Sequence, residues 1–405
     1  MKSFDLAHLY VEKFSQNHLM VDFIEESEFI YFRNGGDYVE NIKSIVEYEP
    51  TMLLFTNVGK LPLKENDIFT IPMDFLLDIK SAYQNQIDRN IEEIPINIYM
   101  VFSNGELISK LFENNEAHKC TQSLEKFQRN LIETWECGTP CSLNYLGANF
   151  TLEVVDVGQG STNLIYDNNS LTIFDFGVSM HYCKSKCYDV LDKLEKMLDR
   201  FCHISLIISH WDCDHYNLLT IMSDKLMREF CCVFLPSQII SLTAQIVAKR
   251  ISQNCRYVRT FTPPPAVKKR KIGIQPVISK QNYELYIGEQ SKSINQSGLA
   301  LVVRGSHDLV VFGADHSNYQ IWECICSHLP SLDNSTLNMV VPHHGGNCGK
   351  INSQHIAIKA GIAAISVGKN VYKHPQQETI DKYNILNFEV KRTDWERDNI
   401  LIKIQ

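Results

Sequence analysis

The chain has 405 residues, 44% hydrophobic and 21% charged, with a formal net charge of −8. This balance is that of a folded protein with room for two domains, and it excludes a disordered or fibrous chain. The negative net charge excludes nucleic-acid binding by a global positive field, so any such binding needs a local basic patch.

The chain has 13 cysteines, an odd number without regular spacing, which implies reduced thiols. The opening Met1-Lys-Ser-Phe-Asp is charged too early for a signal peptide, and no apolar run approaches a membrane span. A cytoplasmic location without a membrane partner is expected.

Residues 1–148 read as a small α+β accessory domain. Phe29-Ile-Tyr-Phe-Arg-Asn-Gly-Gly is predicted as a strand ending in a turn, and Ile96 to Gly105 as another. Met73 to Ile87 and Thr121 to Trp135 carry helical spacing. No catalytic motif occurs here. The isolated His8, His18 and His118 read as structural or surface residues, and Cys137-Gly-Thr-Pro-Cys141 as a linker. Partner or substrate recognition is the usual reason for such an attached domain.

Residues 149–405 change to a strand, glycine turn, strand pattern. Thr151 to Val157, Asn163 to Tyr166 and Ser170 to Phe176 are predicted strands, and Gly158 and Gly160 allow the turn between the first two. A helix over Tyr188–Phe201 leads to the apolar run Ile204 to Ile208. Cys232 to Leu235 reads as a strand and Ile239–Ser252 as a helix. An insert is expected around residues 255–295. In it, Thr262-Pro-Pro-Pro-Ala-Val-Lys-Lys-Arg-Lys forbids a helix. Its Lys268, Lys269, Arg270 and Lys271 form either a solvated loop or a phosphate contact. The runs from Gly298 and Asp308 are paired strands. Ile321–Leu329, Asn352–Ala360 and Gln376–Ile385 are predicted outer helices, and Ile362 to Val367 and Ile400 to Ile404 late strands.

The informative stretch is Ser209-His210-Trp211-Asp212-Cys213-Asp214-His215, where a strand runs into four metal-ligand side chains. A tight turn there could point all four into one cavity, and imidazole with carboxylate suits zinc or manganese. A solvated loop capping the next helix is the plain alternative. Against it stand Asp315, His343, His344 and His374, each following another strand-like run. Ligands gathered from several strand ends are the mark of an enzyme site.

The ordered set Val155-Asp-Val-Gly-Gln-Gly160, His210-x-Asp-x-Asp-His215, Asn295-Gln-Ser297, Phe312-Gly-Ala-Asp315, Val341-Pro-His-His-Gly-Gly346, Ile365 to Asn370 with His374-Pro375, and Arg392-Thr-Asp394 resembles the metallo-β-lactamase-fold hydrolases. More narrowly it resembles the hydrolase domain of the DNA-uptake channel protein ComEC. The resemblance covers roughly residues 150–405 and implies an αββα sandwich. It implies two divalent ions, Zn or Mn, bridged by Asp315. His210, Asp212 and His343 would hold one ion, and Asp214, His215 and His374 the other. His343 and His344 are alternatives for one ligand position, the spare one facing substrate. Asp156 and Asp175 would orient the ligands.

The implied activity is phosphodiester hydrolysis, with DNA the favoured substrate, by a water activated between two metals. Asp214 would orient the water, and whichever of His344 and His374 is not bound to metal would protonate the leaving oxygen. Lys369 and Asn370 would contact a phosphate. Two other functions fit the same residues: a small-molecule hydrolase acting on an ester, lactone, phosphocholine or cyclic nucleotide, and a binding or regulatory module with a vestigial site. Three departures stand out. Ser161 replaces an acidic residue, Asp212 replaces the commoner His and shifts preference towards manganese, and Tyr216-Asn-Leu-Leu replaces small glycines.

Overall fold

The computed structural model describes residues 5–15, 17–37, 51–85, 95–103, 105–120, 148–329, 335–351, 359–370 and 372–405. It divides into two compact units: Met1–Arg129 with Tyr182–Lys184 and Ile239–Lys249, and Asn130–His181 with Ser185–Gln238 and Arg250–Gln405. The first unit therefore differs from a simple N-terminal segment ending near residue 148. It recruits two short stretches from later in the chain. The helix predicted over 121–135 and the linker at 137–141 lie outside the described residues.

The first unit is built on a six-stranded sheet. Its strands are β1 (Leu6–Phe14), β2 (His18–Phe23), β3 (Met52–Thr56), β4 (Ile68–Pro72), β5 (Ile98–Phe102) and β6 (His118–Lys119), ordered β5-β3-β2-β1-β4-β6. Phe23, Phe55 and Phe69 of the sheet pack with Phe29, Phe32, Leu76 and Ile108 of three helices, and with Leu242. The run expected as a strand at Phe29 is instead a helix, Glu26–Arg33. Phe29 and Phe32 are three residues apart and both reach the core, which fits a helical face. Glu26 and Glu28 at its start and Arg33 at its end match the macrodipole, and Gly35 and Gly36 at φ +67 and +92 follow it.

Asp22 is a fully buried carboxylate of this unit. Asp22 accepts hydrogen bonds from Thr51 Oγ1 and, at 2.8 Å, from the Thr243 backbone N–H. Burial pushes its pKa up from 3.8 to about 6, against the opposing pull of those hydrogen bonds.

The second unit holds two seven-stranded sheets. In chain order the strands are β7 (Phe150–Val154), β8 (Thr162–Tyr166), β9 (Ser170–Phe176), β10 (His203–Ile207), β11 (Phe230–Pro236), β12 (Val258–Phe261), β13 (Ile274–Ser279), β14 (Tyr283–Gly288), β15 (Leu299–Arg304), β16 (Asp308–Phe312), β17 (Thr336–Val340), β18 (Lys359–Ile365), β19 (Glu389–Arg392) and β20 (Ile400–Ile404). One sheet runs β12-β11-β10-β9-β8-β7-β20 and the other β13-β14-β15-β16-β17-β18-β19. The stretch expected as an insert is thus built into the sheets: it supplies β12 to one, and β13 and β14 to the other. Residues 352–358 of a predicted helix lie outside the described residues, while Lys359 and Ala360 open β18.

The two sheets face each other across a shared core. Phe150, Leu152, Phe174 and Ile207 of the first meet Leu285, Leu301, Val310 and Phe312 of the second, with the Phe174 and Phe312 rings 5.3 Å apart. Strand periodicity shows clearly in β20, where Ile400, Ile402 and Ile404 are buried while Leu401 and Lys403 are exposed. The outer face of the second sheet packs Ala300, Val302 and Val311 against Ile321, Trp322 and Ile325, and against Ile380 and Tyr383 of the helix Gln377–Ile385. In one sheet the strands β9, β10, β11 and β12, and in the other β16, β17, β18 and β19, run parallel. Their C-terminal ends release the loops that carry the site.

Candidate metal centre

Strand β10 delivers Ser209 and His210, and the short helix Cys213–Tyr216 that follows carries Asp214 and His215. From the other sheet, the turn after β16 carries Asp315, and the turn Pro342–Gly345 after β17 carries His343 and His344. Close backbone approach makes this possible. A Cβ on Gly177, just after β9, would stand 2.1 Å from the Asp214 carbonyl oxygen, and one on Gly298 would stand 2.4 Å from that of Ser209. Only glycine lets these loops close on one another.

Among the described residues, His210, His215 and Asp315 bring ligand atoms within 4.8 Å of one another, as do Asp214, His215 and His344. His215 Nε2 lies 3.5 Å from Asp315 Oδ1, and His210 Nε2 lies 3.8 Å from Asp315 Oδ2 and 3.6 Å from Asp212 Oδ2. His344 Nε2 is 3.7 Å from Asp214 Oδ2. All of these residues are buried.

Hydrogen bonds behind the rings orient them. His215 Nδ1 donates to Asp175 Oδ2 at 2.8 Å, and His344 Nδ1 donates to the Ser366 carbonyl at 2.8 Å. Ser209 Oγ gives its only proton to Asp175 Oδ2, so it must accept from His210 Nδ1, 2.9 Å away. In each neutral ring the Nδ1–H is thereby committed, and Nε2 is left as a lone pair. The Nε2 atoms of His210, His215 and His344 are buried and make no hydrogen bond. Three such atoms facing carboxylates are a cost without an occupant, and they fit a divalent cation of nitrogen and oxygen preference.

The electrostatics agree. Burial lowers the His215 pKa, but Asp175 and Asp315 outweigh it and hold it well above the usual value. Burial raises that of Asp315, but His343 and His215 outweigh it and hold it well below. Without a cation, a proton on His215 takes the place of positive charge, and a metal must compete for it. Burial lowers the His344 pKa despite Asp315 and Asp214.

Asp175 accepts from Ser209 N, Ser209 Oγ, Ser161 Oγ and His215 Nδ1, so the Ser161 departure puts a hydroxyl on this carboxylate. Asp156 instead accepts from Gly158 N at 3.4 Å, in the glycine turn. His343 is half-exposed; its Nδ1 donates to Asp315 Oδ2 at 2.6 Å and its ring lies 5.1 Å from that of His374. His374 Nδ1 is 3.5 Å from Gln159 Nε2. Asn370 is turned inward on its own loop, donating to the Gly368 and His374 carbonyls and accepting from Tyr372 N and His374 N. Lys369 is exposed, as are Lys268, Lys269, Arg270 and Lys271, and Arg270 pairs with Glu289.

Two residues at the site were not nominated from the sequence. Ser209 joins Asp175 to His210. Asn295 Nδ2 donates to Asp212 Oδ2 at 3.3 Å and Asp315 Oδ2 at 3.2 Å, linking carboxylates from opposite sheets. Its place in the ordered motif set was the available signal. Backbone strain also gathers here: Asp175, Ala314, His343, His344 and Lys373 account for five of the eleven non-glycine residues with positive φ among the described residues. Such conformations cost on the order of 1–3 kcal/mol each and concentrate at functional sites.

No protein-family model matches the chain, and no curated protein matches it. Among solved structures it is similar to the metallo-β-lactamase fold protein YhfI from Bacillus subtilis, at 14% identity and a TM-score of 0.35, over 63% of this chain and 99% of that one. It is similar to Tm1679, a metal-dependent hydrolase of the β-lactamase superfamily, at 12% identity and a TM-score of 0.34, over 62% of this chain and 98% of that one. A third likeness is to AidC, a dizinc quorum-quenching lactonase, at 13% identity and a TM-score of 0.24, over 42% of this chain and 60% of that one. Among the described residues, no helix is long and apolar enough to cross a membrane. In class, the molecule is a mixed α/β protein with a buried His/Asp centre able to hold divalent metal.

Proposed function

We propose that the chain is a metal-dependent hydrolase of phosphodiesters, with DNA as the favoured substrate. The observation that carries this reading is the set of three buried imidazoles whose Nδ1 atoms are engaged and whose Nε2 atoms face Asp212, Asp214 and Asp315. The ordered motifs resembling the ComEC hydrolase domain support phosphodiester chemistry. His210, Asp212 and Asp315 would hold one ion, and Asp214, His215 and His344 the other. Asp315, with Oδ1 towards His215 and Oδ2 towards His210, would be shared. This allocation prefers His344 to His343 and His374. Bound zinc or manganese would supply Lewis-acid charge to the reacting phosphate and lower the pKa of water there.

The protein's own groups do the rest. Asp175, Ser209 and Ser366 fix the rings, so no reorientation is needed when substrate arrives. His343, half-exposed and held by Asp315, would give a proton to the leaving oxygen. The test is hydrolysis of labelled single- and double-stranded DNA by metal-stripped protein resupplied with Mn²⁺ or Zn²⁺, beside Asp214→Ala. Cleavage that needs metal and Asp214 is expected. Metal binding without cleavage of either DNA would overturn the substrate and leave a small ester or lactone in its place.

A further inference from the structure

A cavity of about 640 Å³ is lined by residues that follow the metal-centre residues in the chain, and its size is inside the range of roughly 300–1,000 Å³ typical of small-molecule sites. Its walls are continuous with the ligand loops. Gln296 follows Asn295, which bonds Asp212 and Asp315; Ser317 stands two residues beyond Asp315; Cys348 closes the loop that begins at His343. Gln320, fully buried, ties these walls together: its Oε1 accepts from Ser317 Oγ at 3.0 Å, and its Nε2 donates to the Gln296 carbonyl at 2.8 Å and the Gly273 carbonyl at 3.1 Å.

The charge is positive at this point of a negative protein. The charged lining residues are Lys271, Lys350 and Glu323, two ammonium groups against one carboxylate. Lys271 Nζ sits 4.7 Å from the centre of the Tyr319 ring, which holds the ammonium at the cavity wall. Of the basic run, Arg270 is tied to Glu289, and Lys271 is the residue that lines the cavity. Two lysines beside a phenol ring are suited to a phosphate with an attached sugar and base: a compact cation takes the phosphate, and the ring offers a flat surface to the rest.

We propose that this cavity is a nucleotide subsite, which takes the phosphate and nucleoside adjoining the scissile phosphodiester. The inference rests on the phosphodiester reading above. Lys271 and Lys350 bind the phosphate, Tyr319 packs against the nucleoside, and the reacting bond is thereby set over the metal ligands. Glu323 limits the cavity to one phosphate by repelling a second.

The test has a binding arm and a kinetic arm, both on the full chain. Thymidine 5′-monophosphate, inorganic phosphate and thymidine are titrated into metal-free wild type, Lys271→Ala, Lys350→Ala and Tyr319→Ala proteins, with thermal melts to verify folding. The mononucleotide is expected to bind at least about threefold tighter than phosphate, and each lysine variant to weaken it about tenfold. Equal binding by phosphate, or binding indifferent to the lysines, overturns the subsite. In the kinetic arm, metal-loaded proteins hydrolyse an oligodeoxynucleotide and bis(p-nitrophenyl) phosphate. In the Lys271→Ala/Lys350→Ala variant, the ratio of the two kcat/KM values should fall at least about tenfold, through KM for the oligonucleotide, with recovery in Lys271→Arg/Lys350→Arg. An unchanged ratio overturns the inference while DNA cleavage by wild type keeps the function reading. Lysine-dependent mononucleotide binding in a wild type that cuts no DNA keeps the subsite and overturns DNA as substrate.

Discussion

Asp175→Asn separates the orientation of the ligands from their presence. Asp175 lies at φ +63, a conformation asparagine tolerates, so the substitution keeps backbone and volume. The carboxylate accepts four hydrogen bonds, two of them from Ser209 and one from His215 Nδ1. An amide has a single accepting oxygen. If that oxygen stays on the Ser209 N–H, the NH₂ group faces His215 Nδ1. The imidazole must then accept there and carry its proton on Nε2, the atom turned towards the metal position. If the amide flips, its NH₂ meets the Ser209 N–H and strands a buried donor, at about 1–3 kcal/mol. Both states oppose metal binding. Loss of such a supporting group costs about 10–100-fold in metal affinity, or about 1.4–2.7 kcal/mol. The assay is calorimetric titration of Zn²⁺ and Mn²⁺ into metal-stripped wild type and variant, with circular dichroism to verify the fold. A folded variant that binds metal within about twofold of wild type refutes the argument.

Three further outcomes are expected. His344→Ala should weaken metal binding by about tenfold or more, whereas His343→Ala should retain metal and slow turnover by about 10²–10⁴; metal content and kcat measured on the same preparations distinguish the two. Gly177→Ala should cost about 1–3 kcal/mol and reduce metal occupancy, because its Cβ would collide with the Asp214 carbonyl oxygen at 2.1 Å; thermal melting and metal analysis check it. Asp22, with a pKa raised from 3.8 to about 6, stays protonated in the folded chain where the unfolded chain has ionised. The contribution of Asp22 to stability is therefore fully present below pH 3.8 and is lost as pH rises to about 6, by about 3 kcal/mol at about 1.4 kcal/mol per pH unit. Asp22→Asn should remove that dependence, as unfolding followed across this window would show.

Most strands of the second unit outside residues 255–295, and the ligand-bearing turns, were legible because each signal is local. Alternation in β20 or an apolar run before His210 needs only neighbouring residues to be read. The helix Glu26–Arg33 was misread because Phe29-Ile-Tyr-Phe is apolar at both strand and helix spacing, and only contact with Phe23 and Leu76 selects the helix. His343 and His344 could not be told apart by type or spacing. Both adopt left-handed backbone, at φ 53 and 51, and that turn sends one ring to Ser366 and the other to Asp315. The recruitment of Ile239–Lys249 into the first unit is equally silent in sequence, since Thr243 meets Asp22 across more than two hundred residues of chain.

The arrangement of the centre also explains why so costly a site can persist. First-sheet loops supply His210, Asp212, Asp214 and His215, and second-sheet loops supply Asp315 and His344, so no sheet alone can assemble it. The buried carboxylates repel one another, and in the metal-free chain a proton on His215 offsets part of that repulsion. Left-handed residues add strain at the same loops. The shared apolar core between the sheets opposes these costs and holds the loops at one edge. Two divalent cations would replace protons with a stronger charge and between them satisfy the three Nε2 atoms, so binding and packing reinforce each other. The same coupling ties the proposed nucleotide subsite to the centre. Asn295 joins carboxylates of both sheets, and its neighbour Gln296 lines the cavity, so a substrate bound there would be held in register with the metal ligands.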